Sequence, residues 1–262
     1  MPNGVPLLKG KSVIVTGGCS GIGWGISRRC AQMGAAVFAG QRSETGATRI
    51  ETLKAAGHDA HFIRLDVSDP GSIRSFVKAV HERRGKIDIL FNNAGVTIER
   101  AFFEMPLEDL DRLWATNLRS VFLMSQAVAA HMKDAGGGAI VNISSNHSTA
   151  SVPGYEMYAA TKGGIAAMTR AMAWSLGPYK IRVNTLSPGL TATENVQQVA
   201  RDKPHLAAAF ADLHATREMS TVDEIADAAI FLASDLAASI TGAELIADKG
   251  LTAQLCNTDQ LK

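Results

Sequence analysis

Residues 12–23, SVIVTGGCSGIG, decide the fold of this chain. The β-branched run 12–16 predicts a buried strand, and a glycine-rich turn joins it to a helical pattern that ends near Met33. Glycines permit a tight turn and let the main chain approach a pyrophosphate, which binds at a helix N-terminus. Strand, turn and helix in this order therefore predict a dinucleotide site, against the alternative of a glycine turn without a ligand.

Composition disfavours several classes of partner. The chain has 262 residues, 19% of them charged, and a net charge of +1 with no basic block, which argues against nucleic acid or an anionic membrane as the main partner. No apolar run approaches the ~20 residues of a membrane span, and residues 1–11 lack a signal-peptide core, so we expect a cytoplasmic protein. The cysteines, which favour neither a disulfide framework nor a zinc site, are Cys19, Cys30 and Cys256.

Strand and helix patterns alternate along the chain. Strands are predicted at 12–16, 35–40, 61–65, 87–91, 139–143, 181–186 and 243–247. Helices are predicted at 43–56, with Ser43 as a possible N-cap, and at 72–83, 106–133, 158–176 and 222–233. This alternation predicts a parallel sheet with helices on both faces. With no linker and no repeat, we predict a single α/β domain over residues 1–262, doubly wound and Rossmann-type, with a seven-stranded parallel sheet.

Glycine-rich and polar segments follow several of these strands. Besides the glycine-rich turn, they are Asp66, residues 92–95, Ser145 and residues 188–189. Ligands in doubly wound folds bind at the C-terminal ends of the strands, beside the switch in strand order. These segments are therefore expected to gather at one edge of the sheet.

A tyrosine and a lysine suggest the chemistry of this edge. Tyr158 and Lys162 are four residues apart, which places them on one face of a helix. A nearby ammonium favours the phenolate and lowers the pKa of a phenol, which is otherwise ~10. The pair alone is weak support, but Ser145 stands thirteen residues before Tyr158, and the glycine-rich turn lies near the N-terminus. The combination predicts an acid–base site next to a dinucleotide.

Together these motifs resemble the short-chain dehydrogenase/reductase family, over residues 11–250. The matching motifs are T-G-x-x-x-G-I-G at 16–23, Asp66, N-N-A-G at 92–95, Asn117, Ser145, Y-x-x-x-K at 158–162, Pro188-Gly189 with Thr193, and I-T-G at 240–242. The chain departs from the family at Lys249, where a glycine is usual. The resemblance implies an NAD(P)-dependent oxidoreductase that acts on a secondary alcohol or carbonyl group.

The resemblance also implies roles for the catalytic residues. Tyr158 would be the general acid–base, and Ser145 would hydrogen-bond the substrate oxygen. Lys162 would lower the pKa of Tyr158 and bind the nicotinamide ribose, and Asn117 would hold a water that links Lys162 to solvent. No metal is expected. The cofactor site would comprise Gly17, Ser20, Gly21, Ile22, Gly23, Gln41, Arg42, Asp66, Val67, Asn93, Ala94, Gly95, Tyr158, Lys162, Pro188, Gly189, Thr191 and Thr193. In that set Asp66 would contact the adenine and Thr193 the carboxamide.

The substrate prediction depends on the residues around Ser145. The segment 144–147, S-S-N-H, resembles that of bacterial sugar dehydrogenases of the family, and a sugar or polyol is the leading prediction. Ser145, Asn146, His147 and Tyr158 would contact the substrate, although a solvated loop histidine is the stronger interpretation of His147. Further hydrogen-bonding groups are predicted nearby at Thr97, Glu99 and Ser148.

Two other functions are weighed against this one. A 3-oxoacyl thioester reductase would bind an acidic carrier protein through arginines near the ends of two long helices, and the segments 132–136 and 173–175 contain none. A catalytically silent dinucleotide-binding redox sensor would tend to lose the tyrosine or the lysine, and this chain keeps both.

The cofactor preference depends on the end of the second strand. An acid at this position bonds the adenosine 2′-hydroxyl and selects NAD. Here the residue is Gln41, followed by Arg42, whose guanidinium can bind a phosphate in bidentate fashion. Two residues count against NADP. Ser20 stands where many NADP-binding relatives carry a second basic residue, and the carboxylate of Glu44 could lean toward the ribose. NADP is predicted to be preferred, with NAD as the alternative.

The family resemblance suggests two further features. The segment 194–220 would be a mobile lid over the substrate. A homotetramer would form through the helices predicted at 106–133 and 158–176, paired across a two-fold axis.

Overall fold

The computed structural model describes residues 7–254, and a single seven-stranded parallel sheet runs through them. The strands are β1 Ser12–Thr16, β2 Ala36–Gln41, β3 Ala60–Arg64, β4 Ile89–Asn92, β5 Gly138–Ile143, β6 Ile181–Pro188 and β7 Glu244–Ala247. They lie in the order β3-β2-β1-β4-β5-β6-β7. The predicted fold class is confirmed, whereas a single domain over all of residues 1–262 extends past the described range and stays a prediction. Cys256 lies outside that range.

Helices cover both faces of the sheet. They are α1 Gly21–Gln32, α2 Gly46–Ala55, α3 Pro70–Arg84, α4 Leu107–Leu113, α5 Ser120–Asp134, α6 Glu156–Leu176, α7 Glu194–Asp202, α8 Pro204–Asp212 and α9 Val222–Ala233. Within the described residues, α1, α2 and α9 pack on one face and α3, α5 and α6 on the other. Successive residues of β1 serve opposite faces, since Val13 and Val15 join the first cluster and Ile14 the second. Burial on both faces explains why the strands read as continuous apolar runs.

The strand order reverses between β1 and β4, and this switch positions the site. β1 pairs with β2 on one side and with β4 on the other, all in parallel. The helices that follow β1 and β4 consequently leave on opposite faces, and a crevice opens between their starting points. The glycine-rich turn and residues 92–95 border this crevice.

Side chains at the helix starts explain where the helices begin. Asp69 caps α3 by accepting hydrogen bonds from the main-chain N–H groups of Gly71 (2.8 Å) and Ser72 (3.2 Å). Thr221 and Glu224 form a capping box at α9. The prediction of Ser43 as an N-cap is wrong: α2 begins at Gly46 after Thr45, and the Ser43 hydroxyl instead accepts a hydrogen bond from the Thr45 N–H. A local turn therefore occupies the residues predicted as the first turn of this helix.

The helix predicted over residues 106–133 is interrupted. Between α4 and α5 the chain forms a π-helical segment, Trp114–Arg119, which contains Asn117. A π-helical turn adds a residue to the helical repeat and changes the direction of its side chains, and such turns are frequent at functional sites. The sequence pattern here is helical throughout, so it does not predict this change of winding.

The segment 194–220 contains two short helices. Thr193 caps α7 by accepting a hydrogen bond from the Val196 N–H, and Pro204 begins α8. The mobility of this segment stays a prediction.

Candidate active site

The glycine-rich turn is locked to the chain after β4. The Thr16 hydroxyl accepts hydrogen bonds from the N–H groups of Asn93 and Ala94, both at 2.9 Å, and the Asn93 amide donates to the Thr16 carbonyl. Gly17 has a φ of +64°, which a residue with a side chain rarely adopts. A Cβ on Gly23 would lie 2.2 Å from the Gly17 carbonyl oxygen. The first and last glycines are therefore required by the geometry of the turn itself.

A cavity of about 570 Å³ extends from this turn along the ends of β2 and β3. It is lined by Gly17, Ser20, Gly40, Gln41, Arg42, Leu65, Asp66, Val67, Ser68, Ala94, Gly95, Val96, Asp111, Arg112, Ala115, Thr116 and Arg119. Asp66 accepts two hydrogen bonds from Ser68, and these bonds, with the charges of Arg42 and Arg64, hold the pKa of Asp66 below its usual range. The cavity thus combines an ionised carboxylate with exposed guanidinium groups.

These residues fit a dinucleotide. Gln41 lines the cavity, and its buried side-chain oxygen has no hydrogen-bond partner within the described residues, so it lacks a donor that a ribose hydroxyl would supply. Gly95 leaves the space beside the lysine open, because a Cβ there would lie 3.3 Å from Asn117 Oδ1 and 3.7 Å from Lys162 Nζ. A bound nicotinamide dinucleotide would be held by the glycine-rich turn, Gln41 and Lys162.

Lys162 is a buried cation beside Tyr158. The lysine is 5% exposed, and its Nζ donates a hydrogen bond of 3.0 Å to the main-chain carbonyl of Ile143 at the end of β5. The same Nζ lies 5.6 Å from the centroid of the Tyr158 ring. The two side chains project from one face of α6, as their spacing predicts. The structure thus places a buried ammonium next to the Tyr158 ring.

Asn117 holds the chain that follows β4. Its side-chain amide donates to the Val96 carbonyl and its Oδ1 accepts from the Val96 N–H, both at 2.8 Å. The π-helical segment presents Asn117 toward Val96, and α6 lies behind it, since the amide also reaches Thr161 at 3.4 Å. The structure thus assigns the side chain a positioning contact, and the predicted link to solvent through a water stays a prediction.

Ser145 follows β5 and faces the same space as Tyr158. Its side chain accepts a hydrogen bond from the His147 N–H and donates one to Asn146 Oδ1, each at 3.3 Å. The first contact begins a short 3₁₀ turn over Asn146–Ser148. Both bonds are long, which leaves the hydroxyl available to a substrate oxygen.

Three aromatic rings stand together at the substrate side. The centroid of the His147 ring lies 5.1 Å from that of Tyr155 and 5.4 Å from that of Tyr158. The Tyr155 hydroxyl donates a hydrogen bond of 2.9 Å to Glu99. Burial, together with this carboxylate, raises the pKa of Tyr155, and burial lowers the pKa of His147. His147 is half-buried, because the tyrosine rings partly enclose it, and its interpretation as a solvated loop residue stays a prediction.

A second cavity, of about 610 Å³, lies in front of these rings. Its lining comprises Ile22, Ser145, Asn146, His147, Ala150, Ser151, Val152, Tyr155, Tyr158, Gly189, Leu190, Thr191, Thr193, Val196, Phe210, Leu213, Leu251 and Thr252. One wall is polar and comes from residues 145–158. A second group of lining residues, from α7, α8 and residues 213 and 251–252, is mostly apolar and forms the apolar wall. Thr97 and Ser148 do not line the cavity, and Ser148 donates instead to Glu244.

The segment 194–220 also contacts the glycine-rich turn. The Glu194 carboxylate accepts a hydrogen bond of 3.2 Å from the Gly21 N–H and pairs with Arg49 at 2.7 Å. Burial raises the pKa of Glu194, but the bonds from Arg49 and Gly21 outweigh it and hold that pKa below its usual range. An ionised carboxylate therefore sits on an N-terminal amide of α1.

The comparison with family models decides the assignment. Residues 17–252 match a model described as enoyl-(acyl carrier protein) reductase, which is one of the short-chain dehydrogenase/reductases. This chain belongs to the short-chain dehydrogenase/reductase family. Its relatives named as dehydrogenases are nicotinamide-dependent oxidoreductases acting on alcohol groups, so the predicted reaction class is confirmed.

Curated and solved members of the family match almost the whole chain. D-threitol dehydrogenase of Mycolicibacterium smegmatis is 40% identical, with 94% of each chain covered. The 3-oxoacyl-[acyl-carrier-protein] reductase of Chlamydia pneumoniae is 37% identical, with 94% of this chain and 98% of that protein covered. A solved structure from Burkholderia xenovorans, described as a short-chain dehydrogenase/reductase, superposes with a TM-score of 0.91 at 32% identity and covers 96% of this chain and all of the other.

Most residues expected from the family resemblance border one of the two cavities. The exceptions, which line neither cavity, are Gly21, Gly23, Asn93, Asn117, Lys162 and Pro188. Tyr155 and the apolar wall were missed. Tyr155 is the N-cap residue of α6, and the helix predicted to begin at residue 158 did not include it. The apolar side chains of α7 and α8 gave no signal either.

Within residues 7–254, two searches of the structure found no candidates. No group of three or more His, Cys, Asp or Glu side chains is arranged to hold a metal ion. No helix in the same range has both the length and the apolar character to cross a bilayer.

Proposed function

We propose that this protein interconverts a secondary alcohol of a small sugar or polyol and the corresponding carbonyl, with Tyr158 as the general acid–base. The observation that carries the proposal is the buried Lys162 ammonium fixed beside the Tyr158 ring, in front of a cavity that Ser145 also borders. A bound nicotinamide would supply the hydride acceptor or donor.

The proton steps follow from the positions of three side chains. In oxidation, Tyr158 as phenolate takes the proton of the substrate hydroxyl while Ser145 hydrogen-bonds the same oxygen. Lys162 holds its positive charge beside the Tyr158 ring. In reduction the steps reverse, and the Tyr158 proton goes to the carbonyl oxygen. Asn117 supports the site by holding the Val96 main chain.

A polyol or sugar is supported by the polar wall of the substrate cavity. Ser145, Asn146, His147, Ser151 and Tyr155 offer hydrogen-bonding groups along one side of a single cavity. Sites that hydrogen-bond hydroxyls discriminate strongly against analogues that lack them. A D-threitol dehydrogenase, whose name denotes activity on a polyol, is among the relatives.

A 3-oxoacyl thioester reductase is the second candidate. The apolar wall, which includes Val196, Phe210 and Leu213, favours an acyl chain, and a reductase of this class is among the relatives. Against it, the cation at the end of α5, Lys133, lies over the Tyr179 ring at 4.6 Å rather than standing free for an acidic carrier.

A substrate panel separates the two candidates. Purified protein is assayed with tetritols, pentitols, hexitols and aldoses, and with 3-oxoacyl thioesters, using both nicotinamide cofactors. We expect turnover with members of the first group. Turnover with thioesters alone would refute the polyol proposal, and turnover with neither group would refute both.

For the cofactor, we propose a preference for NADP over NAD. Arg42 is exposed at the end of β2, borders the dinucleotide cavity and adjoins Gln41, an uncharged residue that would not repel a 2′-phosphate. Loss of the charge-assisted contact in Arg42→Ala should weaken NADP binding by about ten-fold to a hundred-fold and NAD binding little. Calorimetric dissociation constants test this, with the exposed Arg74→Ala as a charge-matched control. Tighter NAD binding by the wild type, or equal losses for both cofactors, would refute the preference.

We also propose a homotetramer and a cytoplasmic location. The tetramer is supported by exposed aromatic side chains on the helices predicted to pair, among them Phe122 on α5 and Trp174 on α6. The location is supported by the free thiols of Cys19 and Cys30, both buried. Burial raises the pKa of Cys19 to about 11, so this thiol stays protonated and unreactive.

A further inference from the structure

Glu244 joins the last strand of the sheet to the turn that follows Ser145. It lies on β7, and its Oε1 accepts hydrogen bonds from two hydroxyl groups. One is that of Ser187 on β6, at 2.6 Å, and the other is that of Ser148, where the 3₁₀ turn after Ser145 ends. An ionised carboxylate has only acceptor sites, so a single oxygen can hold both donors. Glu244 thus connects the turn to two strands.

The carboxylate of Glu244 is not part of the lining of either cavity. Neither Glu244 nor the two serines that bond it line the dinucleotide cavity or the substrate cavity. Glu244 is half-buried, and Ser187 is fully buried. Any effect of Glu244 on the reaction must therefore pass through a residue that does line a cavity.

Ser148 links this carboxylate to Ser145, which lines the substrate cavity. The Ser148 N–H donates a hydrogen bond of 2.9 Å to the Ser145 carbonyl and so closes the turn. The Ser145 hydroxyl accepts a further bond from within the turn, from the His147 N–H at 3.3 Å. Because the turn contains only three residues, a displacement of Ser148 would move the main chain from which the Ser145 side chain projects.

We propose that Glu244 is a positioning residue: by holding Ser148, it keeps the Ser145 hydroxyl where the substrate oxygen binds. The inference rests on the proposed function, in which Ser145 hydrogen-bonds that oxygen. The two hydrogen bonds that the Ser145 side chain makes itself, to His147 and Asn146, are both long at 3.3 Å and restrain it weakly. The firmer restraint on the turn comes from β7, because hydrogen bonds to a charged group are roughly twice as strong as neutral ones.

Two variants break this connection from opposite sides. Glu244→Ala removes the acceptor, and Ser148→Ala removes the donor on the turn while the Ser187 bond remains. A misplacement of about 1 Å can cost roughly a hundred-fold in rate, so we expect each variant to slow polyol oxidation by about ten-fold to a hundred-fold. Glu244→Gln keeps an acceptor oxygen at the same place in the side chain and should recover part of the loss. The dissociation constant of the cofactor should change little in all three.

A purely structural role would also slow the reaction, so both variants are repeated together with Ser145→Ala. If Glu244 acts through Ser145, neither Glu244→Ala nor Ser148→Ala should have much further effect once the Ser145 hydroxyl is gone. The measured quantity is the single-turnover rate with excess enzyme and the polyol of highest turnover, which keeps slow variants measurable. Ser239→Ala, at an exposed serine in the connection before β7, is the matched control and should leave the rate unchanged. Thermal unfolding checks that each variant is folded, and Ser148→Ala carries the test if Glu244→Ala is not.

Each contrary result overturns a defined statement. An unchanged rate in either Glu244→Ala or Ser148→Ala would overturn the positioning role. Equal fold-losses with and without Ser145→Ala would do the same, because the effect would then not pass through Ser145. Full activity in Ser145→Ala, or a wild type that oxidises no polyol, would overturn the proposed function and this inference with it. That second failure is recognisable because it appears in proteins in which Glu244 and Ser148 are intact.

Discussion

Tyr158 is the residue on which the proposed chemistry depends most directly. Tyr158→Phe keeps the ring that packs against His147 and removes the hydroxyl that would carry the proton. General acid–base groups contribute about 10²-fold to 10⁴-fold, so we expect kcat to fall by that range at neutral pH. The dissociation constant of the cofactor should change little. Steady-state kinetics and calorimetry measure the two quantities.

The control for Tyr158→Phe is a second tyrosine variant away from the site. Tyr179→Phe makes the same change at an exposed tyrosine and should retain full activity. Full activity in Tyr158→Phe would refute its role as the general acid–base. Tight cofactor binding by a wild type that oxidises or reduces nothing would instead favour the redox-sensor alternative.

The relative position of Tyr158 and Lys162 was predictable, and the surroundings of His147 were not. Tyr158 and Lys162 lie within one helix, where sequence spacing fixes relative position. The burial of His147 depends on Tyr155, which a 3₁₀ turn and a loop bring back toward the histidine. Sequence spacing does not encode such a loop, so the histidine was interpreted as solvated.

At the scale of elements, two stacked histidines join α3 to α5. The rings of His81 and His131 are 4.1 Å apart, and the buried Nδ1 of His81 has no partner among the described residues. Burial, then the neighbouring His81, lowers the pKa of His131 below its ordinary value of 6.5, while Asp134 opposes the shift. The unfolded chain therefore binds more protons than the folded one as the pH falls through 6.5. The folded state should therefore lose stability as the pH falls through 6.5. The loss should end once the pH is below the pKa of His131 in the folded chain.

His131→Gln tests this dependence. We expect the difference in free energy of unfolding between about pH 7.5 and about pH 5 to be smaller in the variant than in the wild type, because one group no longer titrates differently in the two states. Urea unfolding at each pH measures it. An unchanged pH dependence in His131→Gln would contradict the argument.

The contact between α7 and the glycine-rich turn predicts an effect on cofactor affinity. The Glu194 carboxylate occupies the Gly21 N–H, at the helix N-terminus where a pyrophosphate would bind. A carboxylate at such a terminus contributes at most about 2 kcal/mol, so Glu194→Gln should tighten the binding of a dinucleotide by up to about thirty-fold. Arg49, released from its partner, would remain as a cation near the phosphates.

Calorimetry with ADP, NAD and NADP measures this effect without catalysis. ADP carries the pyrophosphate but lacks the nicotinamide, so it reports on the turn alone. Glu51→Gln removes the same charge from the exposed face of α2 and should leave all three affinities unchanged. Weaker binding in Glu194→Gln would mean that the carboxylate closes over the bound cofactor instead of competing with it.

The elements differed in how well sequence predicted them. Strand β1 matched to the residue because burial on both faces requires an uninterrupted apolar run. The interruption at Trp114–Arg119 was invisible, because a π-helical turn uses residues that suit an α-helix equally well. At residues 194–220 the chain alternates short helices and turns, and no periodic pattern extends far enough to define them.

At the scale of the molecule, the strand order explains why distant motifs form one site. β4 lies beside β1 in the sheet, although β2 and β3 stand between them in sequence. This neighbourhood brings Asn93 against Thr16 and places the ends of β5 and β6 alongside. General rules for doubly wound folds predicted the gathering of these segments. The family resemblance supplied their roles, which no rule of packing contains.

At the scale of the molecule's surface, three large aromatic side chains are exposed to solvent. Trp114 in the π-helical segment, Phe122 on α5 and Trp174 on α6 are 50%, 46% and 88% exposed. Large aromatic side chains are the residues that most often dominate protein interfaces, and their exposure is unfavourable in an isolated chain. We therefore expect light scattering to give a mass near four times 27.7 kDa, and Trp174→Glu to lower it by placing a charge in the interface. Thr52→Glu adds the same charge on α2, beside the β3 edge, and should leave the mass unchanged. A monomeric wild type at micromolar concentration would refute the tetramer, and a tetrameric Trp174→Glu would exclude α6 from the interface.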